Sequence, residues 1–357
     1  MAEDRGAPRV SRGAPSVGGM GGHVGAPHSV RAAIVGLGRW GRNLVDCTQG
    51  KTDKIRFTTG VARTPDKARD YARSQGLTLV SDYAQALADP AIDAVVLATP
   101  HTQHGEQVLA GLRAGKHVFT DKPFTLTRAS AEAAVKAAAE GRRVLAVGFN
   151  WRYQPALREI RRMLGDGRLG TLLHIEGNFN GPSAYRQPKE HWRQQAEEGP
   201  AGGMTGRGCH VVDAMQYLAG PIASVFAQSS RRVLDYGLDD TTSMLFQFRD
   251  GSTGYLGTVI ATAEGWRMQV FGSRGWVKVG SIPHLHTWSL TTCMVDGQPT
   301  VVDYPQTSTE RAELEGFADA IAGGEPYACP PEDALHGVAV LEAIVKSARS
   351  GRRETID

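Results

Sequence analysis

Six residues constrain this chain more than any others. Gly36-Leu37-Gly38-Arg39-Trp40-Gly41 is a Gly-x-Gly-x-x-Gly turn that directly follows the apolar run Val30–Val35 and opens a helix-like stretch near Gly41. The chain holds 43 glycines in 357 residues, so context rather than the pattern alone decides its meaning. Strand, glycine turn and helix in that order form the first half of a βαβ unit that binds a dinucleotide. The spacing has a physical reading. Gly36 permits the tight turn, Gly38 lets backbone approach a pyrophosphate, and Gly41 lets helix and strand pack closely. The new helix then offers free N–H groups and a partial positive charge to the phosphates.

The segments that follow agree with that reading. Ile55–Ala62 and Asp93–Ala98 are β-like. Then come a helix over His104–Ala114, a strand over His117–Thr120, a helix over Ala129–Glu140 and a strand over Val144–Phe149. Strands alternating with helices predict a doubly wound parallel sheet, the Rossmann arrangement, over residues 30–150. Residues 1–29 are rich in Gly, Ala, Pro and Ser without apolar periodicity, and are expected to form a disordered leader. Residues 151–357 change character. Helices are predicted at Pro155–Leu164 and Cys209–Leu218, and β-like segments separated by turns such as RDGS, GSRG and DGQP fill 222–303. Helices return at Glu310–Ile321 and Glu332–Ser347. This predicts an α+β domain with an open, mainly antiparallel sheet, and its C-terminal helix is placed to pack back on the first domain.

Composition excludes several classes. Hydrophobic residues at 41% and charged residues at 22% fit a globular protein, and a net charge of +3 gives no reason to expect nucleic acid. No apolar run is long enough to span a membrane, and the N-terminus lacks a signal-peptide core. The four cysteines (Cys47, Cys209, Cys293, Cys329) form no C-x-x-C pair, and the scattered histidines form no ligand cluster. Reduced thiols, a cytoplasmic location and no metal are expected. At the end of the second strand an NAD site wants an acid for the ribose 2′-OH. Here the sequence reads Val61-Ala62-Arg63-Thr64-Pro65. Arg63 and Thr64 suit a 2′-phosphate, so NADP(H) is favoured, with NAD(H) as the alternative.

Three further segments carry a resemblance. They are Ala98-Thr99-Pro100-His101-Thr102-Gln103-His104, Asp121-Lys122-Pro123, and Gly202-Gly203-Met204-Thr205-Gly206-Arg207-Gly208-Cys209-His210-Val211-Val212-Asp213. With Asn150-Trp151-Arg152-Tyr153 and the glycine turn, the chain from Val30 onward resembles the glucose-fructose oxidoreductase / inositol dehydrogenase / rhizopine catabolism (Gfo/Idh/MocA) family. The resemblance implies that Lys122 lies between cofactor and substrate, and that Arg39, Trp40, Thr99, Pro100, His104, Asp121 and Pro123 belong to the cofactor site. A lysine partly withdrawn from water beside a cationic nicotinamide gives up its proton more readily, which suits proton exchange near neutral pH. His210 resembles the histidine that hydrogen-bonds the reacting hydroxyl, with Asp213 one helical turn on. Trp192 and Arg193 match an aromatic and polar lip facing the sugar, and Tyr153, Thr205 and Arg207 complete the implied substrate contacts. One departure stands out. Many members carry Asp four residues before this histidine, and here the position is Gly206. Either Lys122 and His210 suffice, or Tyr153 or Asp213 substitutes, or the substrate differs and Arg207 meets an anionic group.

The resemblance implies an NAD(P)-dependent oxidoreductase that moves a hydride between nicotinamide and a carbinol or keto carbon of a sugar-like substrate. The alternatives are a cofactor-binding regulatory protein without turnover, and a glycosidase that uses bound nicotinamide transiently. An open sheet face would leave apolar surface in water, so a homodimer or homotetramer is expected.

Overall fold

In the computed structural model, residues 29–281 and 288–357 are described; the expected leader lies almost wholly outside them. Val30–Val35 forms β1, the apolar centre of the first sheet. It leads through the glycine turn into α1 (Arg39–Thr48). The chain continues as β2 (Ile55–Val61), α2 (Arg69–Ser74), β3 (Thr78–Val80), α3 (Tyr83–Ala88), β4 (Ala94–Leu97), α4 (His101–Arg113), β5 (His117–Thr120), α5 (Arg128–Gly141) and β6 (Leu145–Val147). The strand order is β3-β2-β1-β4-β5-β6, every pair parallel. Order reverses between β1 and β4, and ligands in such sheets bind beyond the carboxyl ends of the strands at that switch point. Ala94–Leu97 is wholly buried, as a parallel strand covered on both faces should be.

Sequence patterning did not anticipate β3 and α3. β3 has three residues, none of them buried, and α3 has six residues with only Ala86 buried, too few for a period to register. Helix α4 begins at His101 rather than His104, because Pro100 occupies its cap and the polar residues His101, Thr102 and Gln103 form its first turn.

The second domain opens with a 3-10 turn over Asn150–Tyr153, followed by α6 (Pro155–Gly165), β7 (Leu172–Asn180), α7 (Ser183–Arg186) and α8 (Cys209–Ala219). Then come β8 (Ile222–Ser230), β9 (Thr241–Phe248), β10 (Thr253–Val259), β11 (Gly265–Gly272), β12 (Gly275–Ser281), β13 (Trp288–Met294) and β14 (Thr300–Tyr304). The chain closes with α9 (Thr309–Ile321), α10 (Pro331–Ser350) and β15 (Glu354–Thr355). Nine strands form one sheet in the order β14-β13-β12-β11-β7-β10-β9-β8-β15, with β7–β10 the parallel pair and all others antiparallel.

One face of this sheet, with Ile175, Phe246, Leu256, Met268 and Val279, is buried, and α6, α8 and α10 pack on that domain. Gly177 makes the close approach of α8 feasible, since a Cβ there would lie 2.5 Å from Val211 Cγ1 and 3.0 Å from Met215 Cε. Among the described residues, the helices that pack most closely on the sheet (α6, α8 and α10) belong to the buried side, and the opposite face carries exposed side chains such as Leu245 and Tyr255. Its cross-strand register places Phe226, Leu245, Tyr255, Glu176, Gln269, Lys278, Thr291 and Val301 in one row.

The last two helices return to the first domain. α9 lies against α1, and α10 against α5. Glu342 of α10 accepts the backbone N–H of Arg128 at 2.7 Å, at the start of α5. A buried guanidinium joins the elements further. Arg152, 2% exposed, donates to both carboxylate oxygens of Asp213 on α8 (2.7–3.1 Å), to the Ala328 carbonyl at 2.9 Å and to Asp333 on α10 at 2.9 Å. Removing one partner of such a buried pair typically costs about 3–5 kcal/mol, because the other charge is stranded.

Candidate active site

The glycine turn has the geometry its spacing implies. Gly36 has φ +95°, and a Cβ on it would lie 2.7 Å from the Ala98 carbonyl oxygen. A Cβ on Gly41 would overlap the Gly36 carbonyl oxygen. Gly38, by contrast, would present a Cβ to open space, so its backbone is what a bound group meets. The first turn of α1 contains no acid to compete with an anion. The donor-rich backbone and the open Gly38 fit a dinucleotide pyrophosphate.

Beyond this turn, between the two domains, lies a cavity of about 390 Å³. Arg39 and Trp40 from the turn line it together with Asp121, Lys122, Arg193, Gly206, Arg207 and His210. The cavity therefore gathers residues implied for cofactor and substrate. The Lys122–Pro123 bond is cis, and Lys122 Nζ donates to the Gly206 carbonyl oxygen at 3.0 Å. His210 sits in the first turn of α8. Its ring stacks on Trp151 (centroids 5.4 Å apart, 17° between planes) and meets Phe149 and Phe179 at 6.4 and 6.5 Å.

The segment before His210, expected to be a glycine turn, is a single π-helical turn over Met204–Gly208 that runs straight into α8. Its glycines do different work. A Cβ on Gly203 would lie 2.6 Å from Ile260 Cγ2, and one on Gly208 would lie 2.5 Å from Met204 Sδ. These two let the turn pack tightly. At Gly206, among the described residues, no atom lies within 4 Å of the corresponding position, and the residue lines the cavity.

Two arginines line the cavity. The Arg193 guanidinium lies 4.1 Å over the Trp192 ring. Burial lowers its pKa from the usual range, and Asp121 opposes that shift. Arg207 donates to the Asn180 carbonyl at 2.9 Å, stands 3.8 Å from Glu264 and lies 4.9 Å over Phe179. Burial lowers its pKa as well, opposed by Glu264.

Several implied site residues are not brought to the cavity wall. Asp213 is spent on Arg152, since its i+3 position from His210 turns it into the helix-packing core. Thr205 is fully buried, its hydroxyl accepting the Ala201 N–H at 3.3 Å. Tyr153 packs on Gly316 and Tyr327 and carries Arg158 on its ring. Neither Tyr153 nor Asp213 thus stands where an acid at Gly206 would. His104 is buried with Nδ1 2.8 Å from the Pro123 carbonyl and Nε2 3.0 Å from the Thr99 carbonyl, so it ties two loops together. The Thr99 hydroxyl is 2.5 Å from Gln107. Trp192 meets His101 edge-on at 5.0 Å. Arg63 and Thr64 lie exposed at the end of β2.

Other residues went unassigned in the sequence. His101 lines the cavity and places Nδ1 2.6 Å from the Glu198 carbonyl; burial and the nearby His104 hold its pKa well below the usual histidine range, so the ring is neutral. The Glu198 carboxylate accepts the Thr102 N–H at 3.1 Å and its hydroxyl at 2.6 Å, which pins a second-domain loop to the start of α4. Asn150 donates to Thr309 at 3.0 Å and to Glu310 at 3.4 Å. No local pattern marks Glu198 or Glu310, because each acts across 96 and 160 residues of chain.

Residues 30–149 match the oxidoreductase family with an NAD-binding Rossmann fold, and residues 157–278 match the GFO/IDH/MocA C-terminal domain. The chain belongs to the Gfo/Idh/MocA family. It is an NAD(P)-dependent oxidoreductase of that family. It is 27% identical to scyllo-inositol 2-dehydrogenase (NAD(+)) of Bacillus subtilis, over 92% of this chain and 97% of that one. It is 28% identical to inositol 2-dehydrogenase of Rhizobium meliloti, over 92% and 99%. A putative NADPH-dependent oxidoreductase from Desulfitobacterium hafniense has the same fold, with TM-score 0.85, 25% identity, and coverage of 92% and 97%. Among the described residues no helix is long and apolar enough to cross a membrane.

The glycine turn makes a paired prediction. Gly38→Ala is expected to change unfolding free energy in urea by less than about 1 kcal/mol yet weaken NAD(P)H binding about tenfold or more, because only the ligand meets that Cβ. Gly41→Ala is expected to lose about 1–3 kcal/mol of stability from overpacking. Equal stability losses in the two variants would show that Gly38 is not an open cradle.

Proposed function

We propose that this member of the family oxidises a secondary alcohol of a sugar or polyol, or reduces the corresponding ketone. What carries the reading is that Lys122 and His210 line the same cavity as Arg39 and Trp40 of the dinucleotide turn. When bound, the nicotinamide accepts or returns a hydride. In the oxidative direction the carbinol carbon loses its hydrogen with both electrons of the C–H bond. The hydroxyl loses its proton to Lys122 Nζ, and from there to solvent. His210 Nε2 orients the hydroxyl, and the stack on Trp151 fixes the ring plane. The Gly206 carbonyl holds Lys122 Nζ in place before substrate arrives, which removes part of the cost of orienting the reactants.

The exposed Arg63 and Thr64, with no acid at the end of β2, support a preference for NADP(H). The uncovered sheet face, with Leu245 55% exposed and Tyr255 37% exposed in one cross-strand row, supports a homodimer or homotetramer built on that face.

Lys122→Ala is expected to lower kcat at least about 100-fold on the best alcohol found in a sugar and inositol panel, with Tm unchanged. Full retained rate would remove Lys122 from proton transfer, and nucleotide binding without turnover of any alcohol would overturn the reading. Arg63→Asp is expected to cut kcat/KM for NADP+ about tenfold or more relative to NAD+; an unchanged ratio would place the preference elsewhere. Sedimentation velocity at micromolar concentration should give twice or four times the chain mass, and a monomer would contradict assembly through the sheet.

A further inference from the structure

Two arginines, Arg193 and Arg207, and Gly206 are among the residues that line the cavity. At Gly206 a whole side chain's worth of space stands open beside Lys122. Arg207, the next residue, has a guanidinium held on three sides. Nη1 donates to the Asn180 carbonyl, the ring of Phe179 lies beneath, and the backbone of Gly181 stands so close that a Cβ there would come within 2.6–2.9 Å of the group. Its Nε and Nη2 donors meet no hydrogen-bond acceptor among the described residues. The same holds for the guanidinium of Arg193, which is fixed over Trp192.

The acids that line the cavity do not supply those acceptors. Glu198 is occupied by Thr102, and Glu310 by Asn150 and Thr309. Asp121 is 8% exposed and stands beyond 4 Å from both arginines, forming no ion pair with either. Glu264, which is not among the residues lining the cavity, pairs with Arg207 through Nη1 at 3.8 Å. A cation that is mostly buried, lines a cavity, is held against Asn180 and Phe179, and keeps two N–H donors without a protein acceptor among the described residues is arranged for an oxyanion, above all a planar carboxylate that takes two N–H groups at once.

We propose that the substrate is a sugar acid, whose carboxylate lies over Gly206 and is held by Arg207. The proposal rests on the oxidoreductase reading and narrows its substrate class. It also gives Gly206 a role: a side-chain carboxylate at that position would occupy the space and neutralise the charge that the substrate's own carboxylate uses. Charge-assisted hydrogen bonds of this kind discriminate by about tenfold or more.

The test uses the full chain with matched pairs that differ in one carboxylate, D-glucuronate against D-glucose and D-gluconate against D-glucitol, with NAD+ and NADP+. The acid of at least one pair is expected to exceed its neutral partner about tenfold or more in kcat/KM. Arg207→Gln should bring that ratio to within about twofold. Gly206→Asp, which keeps the pinned arginine, should do the same and serves if the first variant does not fold. Equal or reversed preference in the native protein overturns the proposal. So does an Arg207→Gln variant whose KM rises for cofactor as much as for the acid, since the oxyanion would then be a cofactor phosphate. If no pair turns over, thermal unfolding with NADPH decides the matter separately. Stabilisation by D-glucuronate beyond D-glucose upholds the carboxylate site while the alcohol-oxidation reading fails, and equal stabilisation overturns the site.

Discussion

The arrangement of the active-site wall depends on one buried ion pair. Arg152 and Asp213 are each 2% exposed, and neither touches the cavity. Yet Arg152 follows Trp151 directly, and Asp213 lies three residues beyond His210 on the same helix. Fixing that pair therefore fixes the two rings whose stack sets the plane of the histidine. Burying two charges brings little net stability, because desolvation offsets the attraction. What the pair supplies is a unique register between the 3-10 turn at 150–153, α8 and α10, since any slip would strand a charge in the core.

The dinucleotide turn works on the opposite principle. It excludes side chains rather than pairing them. Gly36 and Gly41 bring strand and helix to a separation at which any Cβ would strike a carbonyl, while Gly38 leaves its space for a ligand. The surroundings of Arg207 repeat the device with charge added, as Gly181 makes room for its guanidinium. Other glycines, such as Gly50 and Gly220, serve turns through a positive φ.

Much of this was legible in the sequence. Buried parallel strands such as Ala94–Leu97 announce themselves as apolar runs, hairpin strands by their turns, and the phosphate cradle by its spacing between strand and helix. Lys122, His210, Arg193 and Arg207 stand out in the sequence through their motifs, and they line one cavity. What escaped was short or non-local. β3 and α3 hold too few buried residues to show a period. Glu198 and Glu310 act on partners far away in the chain, which leaves no local trace. Asp213 illustrates a different failure. An acid one turn from a histidine reads as a site partner, and only the location of Arg152 reveals that it faces the core instead.

The return of the C-terminal helices has a consequence for how this protein can be taken apart. α9 and α10 are counted with the second domain by sequence, but Glu342 seals the start of α5, Glu310 meets Asn150, and Lys54 pairs with Asp319 at 2.7 Å. The chain is therefore not modular at its apparent boundary. A chimaera that exchanged the nucleotide domain of this protein for a relative's by cutting near residue 150 would separate α5 from its cap and α1 from α9. Nor can the last residues simply travel with the first domain, because α10 also packs on β8 and β15 pairs with β8 as the edge of the sheet.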